Sequence, residues 1–296
     1  MKVLVTGSAG RVGRAIYIKL MRSFTVVGID KTPCSTADYV GDIRDERLIK
    51  RALKDVDVVV HTAALHAPHV ELFSNKTFHS INVDSTEQLA LRCIELGVKH
   101  FIFTSTTALY GYASTPQGIA GWVDEEVTPQ PRSIYHHTKR AAEHTLEALA
   151  LRYNMPVTVL QMSRCFPESA DLMAVYRLNR GIDARDAASA HQAAIEKRLS
   201  GFQRFIISAK TPFSRHDVAR LYHEADVLLA EKCPALADAF AQRGWQLPSQ
   251  LDRVYDSSKA QKLLEWTPCY GFESVLAMLD DESSEVLPVL SSSSLK

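Results

Sequence analysis

The 296-residue sequence has no excess of charge of either sign, because Lys+Arg and Asp+Glu both total 34. A net charge of zero provides no basic surface for nucleic acid or for anionic lipid. No apolar run approaches the roughly 18 residues that a membrane-spanning helix needs. The apolar start, MKVLVTG, is too short for a signal peptide. We therefore expect a cytoplasmic protein that binds neither nucleic acid nor membrane.

The cysteines are few, scattered and odd in number, at positions 34, 93, 165, 233 and 269. They have no C-x-x-C spacing, which indicates reduced thiols and argues against a disulfide framework or a zinc site. Six histidines raise the question of another metal: His61, His66, His69, His79, His136 and His137. No cysteine or acid completes a ligand set, so we predict no metal. His66 follows a strand and is either a substrate-binding residue or an ordinary surface histidine.

Short apolar runs rich in β-branched residues alternate with helix-like stretches through the first 164 residues. The runs are KVLVTG (2–7), FTVVGID (24–30), VDVVVHTAA (56–64), HFIFTST (100–106) and PVTVLQMSR (156–164). The alternation predicts an α/β fold with a Rossmann-type, doubly wound parallel sheet.

The pattern becomes irregular after residue 164, although one strand-like run, RFIISA (204–209), still follows. We predict a Rossmann domain at 1–164, a small mixed C-terminal lobe at 165–286 and a disordered tail at 287–296.

A glycine-rich turn, TGSAGRVG (6–13), directly follows the first strand. Gly7, Gly10 and Gly13 permit a tight turn and let backbone N–H groups approach a pyrophosphate. Asp30 ends the second strand about 20 residues further on, where an acid can bind ribose hydroxyls and repel a 2′-phosphate. This combination predicts NAD rather than NADP. The alternatives are a tight turn without a ligand and a solvated acid.

Tyr135 and Lys139, in SIYHHTK (133–139), lie four positions apart and share one face of a predicted helix. A neighbouring ammonium favours the phenolate and lowers the pKa of a tyrosine. Tyr135 could then act as general base toward a substrate hydroxyl, or as general acid in the reverse direction. Taken alone, such a pair is more often an ordinary exposed pair on a helix.

In their order, these motifs resemble the extended short-chain dehydrogenase/reductase superfamily, its NAD-dependent epimerase/dehydratase group. The resemblance rests on the glycine turn, Asp30, GDIRD (41–45), HTAA (61–64), NVDST (82–86), FTSTTALYG (103–111), Y-x-x-x-K and DSSKAQKLLEWTP (256–268). It implies that Thr106 is the catalytic hydroxyl, with Ser105 as the alternative, and that Asn82 supports the site.

The same resemblance places an NAD molecule along the ends of the strands. Asp42 would lie near the adenine amino group, and Lys139 would bind the nicotinamide ribose. The full set of predicted cofactor contacts is Gly7, Ala9, Gly10, Arg11, Val12, Gly13, Asp30, Lys31, Asp42, Ile43, Thr62, Ala63, Ala64, Thr104, Tyr135 and Lys139.

Asp186 follows Arg164 by only 22 positions. Nucleotide-sugar enzymes of the superfamily usually carry a longer segment here, and the compact spacing resembles the uronate dehydrogenases. That resemblance implies that Arg177 binds a substrate carboxylate through two parallel hydrogen bonds. The alternative is that Arg177 pairs with a local acid such as Asp183. Thr107 departs from the pattern of that branch.

We therefore predict an NAD-dependent dehydrogenase that acts on a carbinol of a small sugar-like substrate, with sugar acids included. The predicted substrate-binding residues are Ser105, Thr106, Thr107, His66 and Arg177. A (nucleotide-)sugar epimerase that recycles bound NAD is the first alternative, and a non-catalytic NAD-sensing protein is the second. A dehydratase is disfavoured because Thr107 and Ala108 occupy the positions of its acid pair.

A homodimer is expected because the superfamily commonly packs two helices per subunit into a four-helix bundle. The matching helices lie near 84–97 and 135–153. The second predicted helix has more apolar surface than contact with the sheet requires: Ala141, Ala142, Leu146, Leu149 and Ala150. Small residues permit close approach of a partner helix. The alternative is that these residues are buried within one subunit.

Overall fold

The computed structural model describes residues 1–289 of the chain. Its strands are β1 (Lys2–Thr6), β2 (Thr25–Asp30), β3 (Tyr39–Val40), β4 (Val58–His61), β5 (His100–Thr106), β6 (Gly121–Val123), β7 (Val157–Met162), β8 (Phe202–Ile207) and β9 (Arg253–Tyr255). Seven of them form one sheet in the order β3-β2-β1-β4-β5-β7-β8. All neighbours in this sheet pair in parallel. The predicted Rossmann-type α/β fold is confirmed.

The helices cover both faces of this sheet and build the C-terminal part of the chain. They are α1 (Arg11–Leu20), α2 (Glu46–Ala52), α3 (Asn75–His79), α4 (Ser85–Glu95), α5 (Ile134–Tyr153), α6 (Ala170–Asn179), α7 (Ala184–Lys197), α8 (Val218–His223), α9 (Ala225–Lys232), α10 (Pro234–Gln242), α11 (Ser258–Leu263) and α12 (Phe272–Asp280).

Two apolar layers sandwich the sheet, because strands buried on both faces direct alternate side chains to opposite sides. On one face, Ile16 of α1 and Ile195 of α7 pack with Val3 and Val5. On the other face, apolar residues of α2, α4 and α5 pack in one cluster with Leu4 of β1. The carboxyl ends of the parallel strands meet at one edge, where a doubly wound sheet binds its ligand.

A third apolar cluster forms the C-terminal lobe from α6, α8, α9, α10 and α12, together with Val254 of β9. β9 pairs with β6 in a separate two-stranded parallel sheet. Residues 184–207 do not join this lobe, although the sequence analysis assigned them to it. Their helix α7 packs on α1, and β8 pairs with β7 along the edge of the main sheet. The chain therefore returns to the main seven-stranded sheet before it completes the C-terminal lobe.

Part of the predicted tail is described, and it is attached to α6. The backbone N–H of Leu287 donates to Glu168 O at 3.0 Å, and Leu287 O accepts from Ala170 N at 2.9 Å. The rest of the predicted tail, 290–296, lies outside the described residues. Between residues 1 and 289, no helix combines the length and apolar character needed to cross a bilayer.

Candidate active site

The turn between β1 and α1 brings backbone atoms closer together than side chains would permit. Gly7 has a φ of +71°, and a Cβ there would lie 2.8 Å from the backbone nitrogen of Ala63. A Cβ on Gly13 would lie 2.1 Å from Gly7 O. Both positions therefore require glycine. Gly10 precedes α1 without a side-chain cap, so the backbone N–H groups at this helix end can bind an anion.

Asp30 lies at the end of β2 and is hydrogen-bonded to the glycine turn. Its Oδ2 accepts from the backbone N–H of Ala9 at 3.0 Å, and its Oδ1 accepts from Thr32 N at 2.9 Å. A carboxylate has about four lone-pair sites, so the half-buried side chain can still accept from ribose hydroxyls. Lys31 beside it is exposed. The turn and Asp30 together fit the pyrophosphate and adenosine ribose of a dinucleotide.

Two other predicted cofactor contacts have side chains that are engaged within the protein. Arg11 Nη2 lies 2.6 Å from Glu285 Oε2, in the segment after α12. Asp42 accepts two hydrogen bonds from Arg44, at 2.8 and 2.7 Å, and these hold the pKa of Asp42 below its usual range. The remaining predicted contacts in this region are half-buried: Val12, Ile43, Thr62, Ala63 and Ala64.

Tyr135 lies in the first turn of α5, at the carboxyl edge of the sheet. The helix begins there because Ser133 Oγ caps it by accepting from His136 N. Burial raises the pKa of Tyr135 to about 12, and a hydrogen bond with the Thr106 hydroxyl opposes that rise. Thr106 ends β5, so sheet and helix bring together the two residues predicted to contact the reacting oxygen. The expected lowering of this pKa by Lys139 is not found, because burial dominates.

Lys139 lies one helical turn below Tyr135 and is 3% exposed. Its Nζ donates to Thr104 O at 2.7 Å and lies 3.9 Å from the centre of the Phe103 ring. Burial lowers the pKa of Lys139 to about 7, against the opposing influence of Glu143 one turn further along α5. The ammonium is therefore desolvated beneath Tyr135, where its charge acts through a low-dielectric medium.

Asn82 lies in a π-helical turn (Ser80–Asp84) directly before α4 and is 1% exposed. Its Oδ1 accepts from Leu65 N at 2.8 Å, and its Nδ2 donates to Leu65 O at 2.9 Å. The same Nδ2 donates to Thr138 Oγ1 at 3.1 Å, and Thr138 donates to Tyr135 O. Asn82 thus supports α5 by holding its first turn.

Three hydroxyls at the end of β5 point away from the site. Ser105 Oγ donates to the buried Glu143 at 2.5 Å, on the α5 side of the sheet. Thr104 Oγ1 lies 2.7 Å from His191 Nε2 on α7. Thr107 is 3% exposed, and its hydroxyl faces Met162 O at 3.5 Å. These three hydroxyls are therefore engaged elsewhere in the protein, and Thr106 is the member of this cluster that is hydrogen-bonded with Tyr135.

Arg177 is 3% exposed, and its Nη2 lies 3.2 Å from Asp183 Oδ2. Desolvation lowers the pKa of Arg177, and Asp183 opposes that change. Arg185 also donates to Asp183, at 2.8 and 3.0 Å. The local ion pair that stood as the alternative is present, so the guanidinium predicted to clamp a substrate carboxylate is already engaged with an acid of the protein.

The histidines are distributed without a shared ligand geometry. His66 is exposed, and its ring stacks on that of His69 with centroids 4.9 Å apart. His136 Nδ1 accepts from Arg132 N at 3.1 Å, and His137 is exposed. Across residues 1–289, no group of three or more His, Cys, Asp or Glu side chains could hold a metal ion.

The apolar residues that suggested a dimer serve the subunit itself. Ala142, Leu146, Leu149 and Ala150 belong to the cluster between α5 and the sheet, and Ala141 is half-buried. This is the alternative stated above, so the apolar content of α5 no longer argues for a partner helix. The homodimer stays a prediction.

A buried polar network on the α5 side of β5 has no counterpart among the residues predicted from the sequence. Glu143 accepts from Gln161 Nε2 at 3.1 and 3.0 Å and from Arg204 Nε at 2.9 Å. Tyr110 Oη donates to Gln161 at 2.8 Å. These residues are separated by up to 94 positions, so no local sequence motif predicts the network.

The profile of the NAD dependent epimerase/dehydratase family matches residues 3–174. The chain belongs to this family. The NAD dependence of the family confirms the cofactor predicted from the glycine turn and Asp30. The match covers the turn, Asn82, Thr106, Tyr135 and Lys139 and ends within α6.

Curated relatives align with only part of this chain. The dTDP-D-glucose 4,6-dehydratase of Mus musculus is 28% identical over 186 residues, 56% of this chain and 50% of that protein. The NAD-dependent glucose-6-phosphate dehydrogenase of Haloferax volcanii is 28% identical over 162 residues, 48% of this chain and 60% of that protein. The chain spans about half the length of the curated relatives it matches.

The fold extends further than the sequence similarity. The UDP-glucuronic acid 4-epimerase of Bacillus cereus, in complex with UDP-glucuronic acid and NAD, superposes with a TM-score of 0.69 at 23% identity. This superposition covers 95% of this chain and 98% of that one. The C-terminal lobe is therefore part of the shared architecture, although its sequence has diverged.

Proposed function

We propose that this family member is an NAD-dependent oxidoreductase that acts on a carbinol of a small sugar-like substrate. The observation that supports this most is the convergence of Thr106, Tyr135 and Lys139 at the carboxyl edge of the sheet. A regulatory protein that only senses NAD would not need a proton-transfer set there. The buried support of Asn82 under α5 adds to the argument, because it fixes the tyrosine backbone.

In this proposal Tyr135 exchanges a proton with the substrate hydroxyl. With a pKa of about 12 the phenol is protonated at neutral pH, which suits proton donation to a carbonyl. Proton acceptance needs a stabilised phenolate, and the Thr106 hydroxyl provides a hydrogen bond that favours it. Lys139 provides the positive charge below the ring whenever it is protonated.

The residues around the glycine turn would hold the cofactor. Backbone N–H groups near Gly10 suit the pyrophosphate, and the Asp30 carboxylate suits the adenosine ribose. When bound, NAD supplies the hydride acceptor for the carbinol carbon. Tyr135 and Thr106 would orient the substrate oxygen so that the proton leaves this oxygen while the hydride leaves the carbon bonded to it.

The short lobe segment favours a small substrate. Between Arg164 and the start of α7 the chain contains a single helix, α6, which packs against α12. Arg177 is already paired with Asp183, so the case for a sugar acid over a neutral sugar is weaker than the sequence alone implied. The position where a dehydratase would have an acidic residue is occupied by the buried Thr107, which argues against dehydration.

A panel of neutral sugars, sugar acids, sugar phosphates and nucleotide sugars with NAD tests the proposal, read at the NADH absorbance. Continuous NADH formation that requires a substrate and is lost in Tyr135→Phe supports a dehydrogenase. Absence of turnover with every class, despite NAD binding, would favour the NAD-sensing alternative.

A sugar epimerase is the second candidate, and the similarity to the Bacillus cereus epimerase favours it. The same Thr106, Tyr135 and Lys139 would serve, with the hydride returned to the sugar. Epimerisation gives an altered sugar without net NADH. Chromatography of each reaction mixture after incubation with NAD therefore separates this activity from the dehydrogenase.

A further inference from the structure

His61 ends β4 and is completely buried, between the cofactor turn and the catalytic helix. Its Nδ1 lies 2.7 Å from Thr6 Oγ1, and its Nε2 lies 2.9 Å from Thr86 Oγ1. Burial and the nearby Lys139 lower the pKa of His61 to about 3, so the ring is neutral at physiological pH. A neutral imidazole has one donor and one acceptor, so the two threonine hydroxyls must play opposite roles.

The hydrogen-bond partners of each threonine decide which role it plays. Thr86 donates its one hydroxyl hydrogen to Asn82 O at 2.9 Å, so it accepts from His61. Thr6 Oγ1 accepts from the backbone N–H groups of Thr62 and Ala63, both at 3.2 Å, and so donates to His61. Both sides require the same tautomer, with the proton on Nε2.

The hydrogen-bonded chain continues beyond both threonines. Thr6 is followed by Gly7 of the cofactor turn, and it holds the backbone of Thr62. At the other end, the Asn82 side chain donates to Thr138, which donates to Tyr135 O at 3.1 Å. One uninterrupted path of buried groups therefore joins the turn expected to hold the pyrophosphate to the first turn of α5.

The ring of His61 also contributes to packing beside Lys139. It stacks on Phe103 with centroids 5.7 Å apart and an interplanar angle of 28°, and Lys139 Nζ lies 3.9 Å from the centre of the same Phe103 ring. An apolar ring could replace this packing. It could not replace the two directed hydrogen bonds, so the Thr6 hydroxyl would lose its acceptor and the Thr86 hydroxyl would lose a donor in the core.

We propose that His61 is a positioning residue that orders the cofactor turn through Thr6 and the buried Asn82 through Thr86. Its two nitrogens have separable effects. The hydrogen bond at Nδ1 fixes the backbone position of Thr62 and Ala63 through Thr6, and thereby determines the affinity for NAD. The Nε2 side sets Asn82 and the first turn of α5, and hence turnover. The turnover arm rests on the proposed function, whereas the NAD-binding arm does not.

Two substitutions divide these effects. His61→Gln retains an amide donor near the Nε2 position, and it should weaken NAD binding about 3- to 10-fold while kcat changes less. His61→Asn retains an acceptor near the Nδ1 position, and it should lower kcat about 3- to 10-fold while NAD affinity changes less. Calorimetry measures the first quantity, and initial rates at saturating NAD measure the second.

His100 provides a matched control. It is also completely buried, at the opposite end of β5, with Nε2 2.9 Å from Thr158 Oγ1. His100→Gln and His100→Asn should lower stability without changing NAD affinity or kcat. If the His61 and His100 variants lose stability alike and keep NAD affinity and kcat, His61 is a packing residue and the proposal is overturned.

Nitrogen-15 NMR of the full-length protein with labelled histidine tests the tautomer without any substitution. The His61 ring should show a protonated Nε2 and an unprotonated Nδ1, with no titration between pH 8 and pH 5. A proton on Nδ1, or a titration near pH 6, would overturn the hydrogen-bond directions. Because this measurement needs neither substrate nor turnover, its failure is distinguishable from failure of the proposed function.

Discussion

Replacing Lys139 with methionine should raise the stability of the protein while it abolishes catalysis. The ammonium is 3% exposed, and its Nζ has one hydrogen bond, to Thr104 O. Burial lowers the pKa of Lys139 from 10.5 to about 7. The unfolded chain therefore binds more protons than the folded chain between these two values. The free energy of unfolding must then rise with pH across this window.

The size of the effect follows from the two pKa values. At about 1.4 kcal/mol per pKa unit, burial of Lys139 costs about 4 kcal/mol at pH 7 and about 1 kcal/mol at pH 9.5. Methionine removes this unfavourable contribution. It also leaves Thr104 O without its hydrogen-bond donor, which lowers the gain in the free energy of unfolding by about 1–3 kcal/mol at both pH values. The stability advantage of Lys139→Met should therefore shrink by about 3 kcal/mol between pH 7 and pH 9.5.

Urea denaturation followed by tryptophan fluorescence measures this change. Lys50→Met is the matched control, because Lys50 is an exposed lysine on α2. Its stability difference from the parent should stay constant over the same pH range. A Lys139→Met advantage that does not narrow at pH 9.5 would refute the idea that a desolvated ammonium lies under Tyr135.

Four other outcomes are expected. Tyr135→Phe should lower turnover by roughly 10² to 10⁴ while NAD binding is retained; near-normal turnover would remove Tyr135 from the mechanism. The unmodified protein should bind NAD at least about tenfold more tightly than NADP because of Asp30, a difference of about 1.4 kcal/mol; equal affinities in calorimetry would contradict this assignment. Arg177→Ala should destabilise the fold by about 1–3 kcal/mol, because Asp183 would lose one buried donor while Arg185 still compensates its charge; unchanged stability in urea would show that the pair is unimportant. Light scattering at micromolar concentration should give the mass of a homodimer, and a monomer mass would refute that prediction.

The sequence by itself determined the fold class and the cofactor turn, because both depend on local physical constraints. Apolar runs in alternation with helices specify a sheet buried on both faces, whatever the details of packing. Gly7 and Gly13 were recognisable from their spacing directly after the first strand, and the structure gives the reason, because a Cβ at either position would collide with backbone. Tyr135 and Lys139 were recognisable because helical geometry alone places residues i and i+4 on one face.

Only the tertiary structure decided which polar side chains reach the site. Thr106 and Ser105 are chemically similar neighbours, and the pairing of β5 and the packing of α5 send one to Tyr135 and the other to Glu143. Likewise, the charge of Arg177 was visible in the sequence, whereas its neutralisation by Asp183 depends on how α6 and α7 meet.

The direction of the shift in the pKa of Tyr135 was also a tertiary outcome. Sequence spacing brings a lysine near the phenol, but it cannot state how much water the fold excludes from either group. Burial raises the pKa of Tyr135 and lowers that of Lys139. The path from Thr6 through His61 to Asn82 joins three separate segments of the chain, and it exists only because the fold buries their polar groups where each must find a partner.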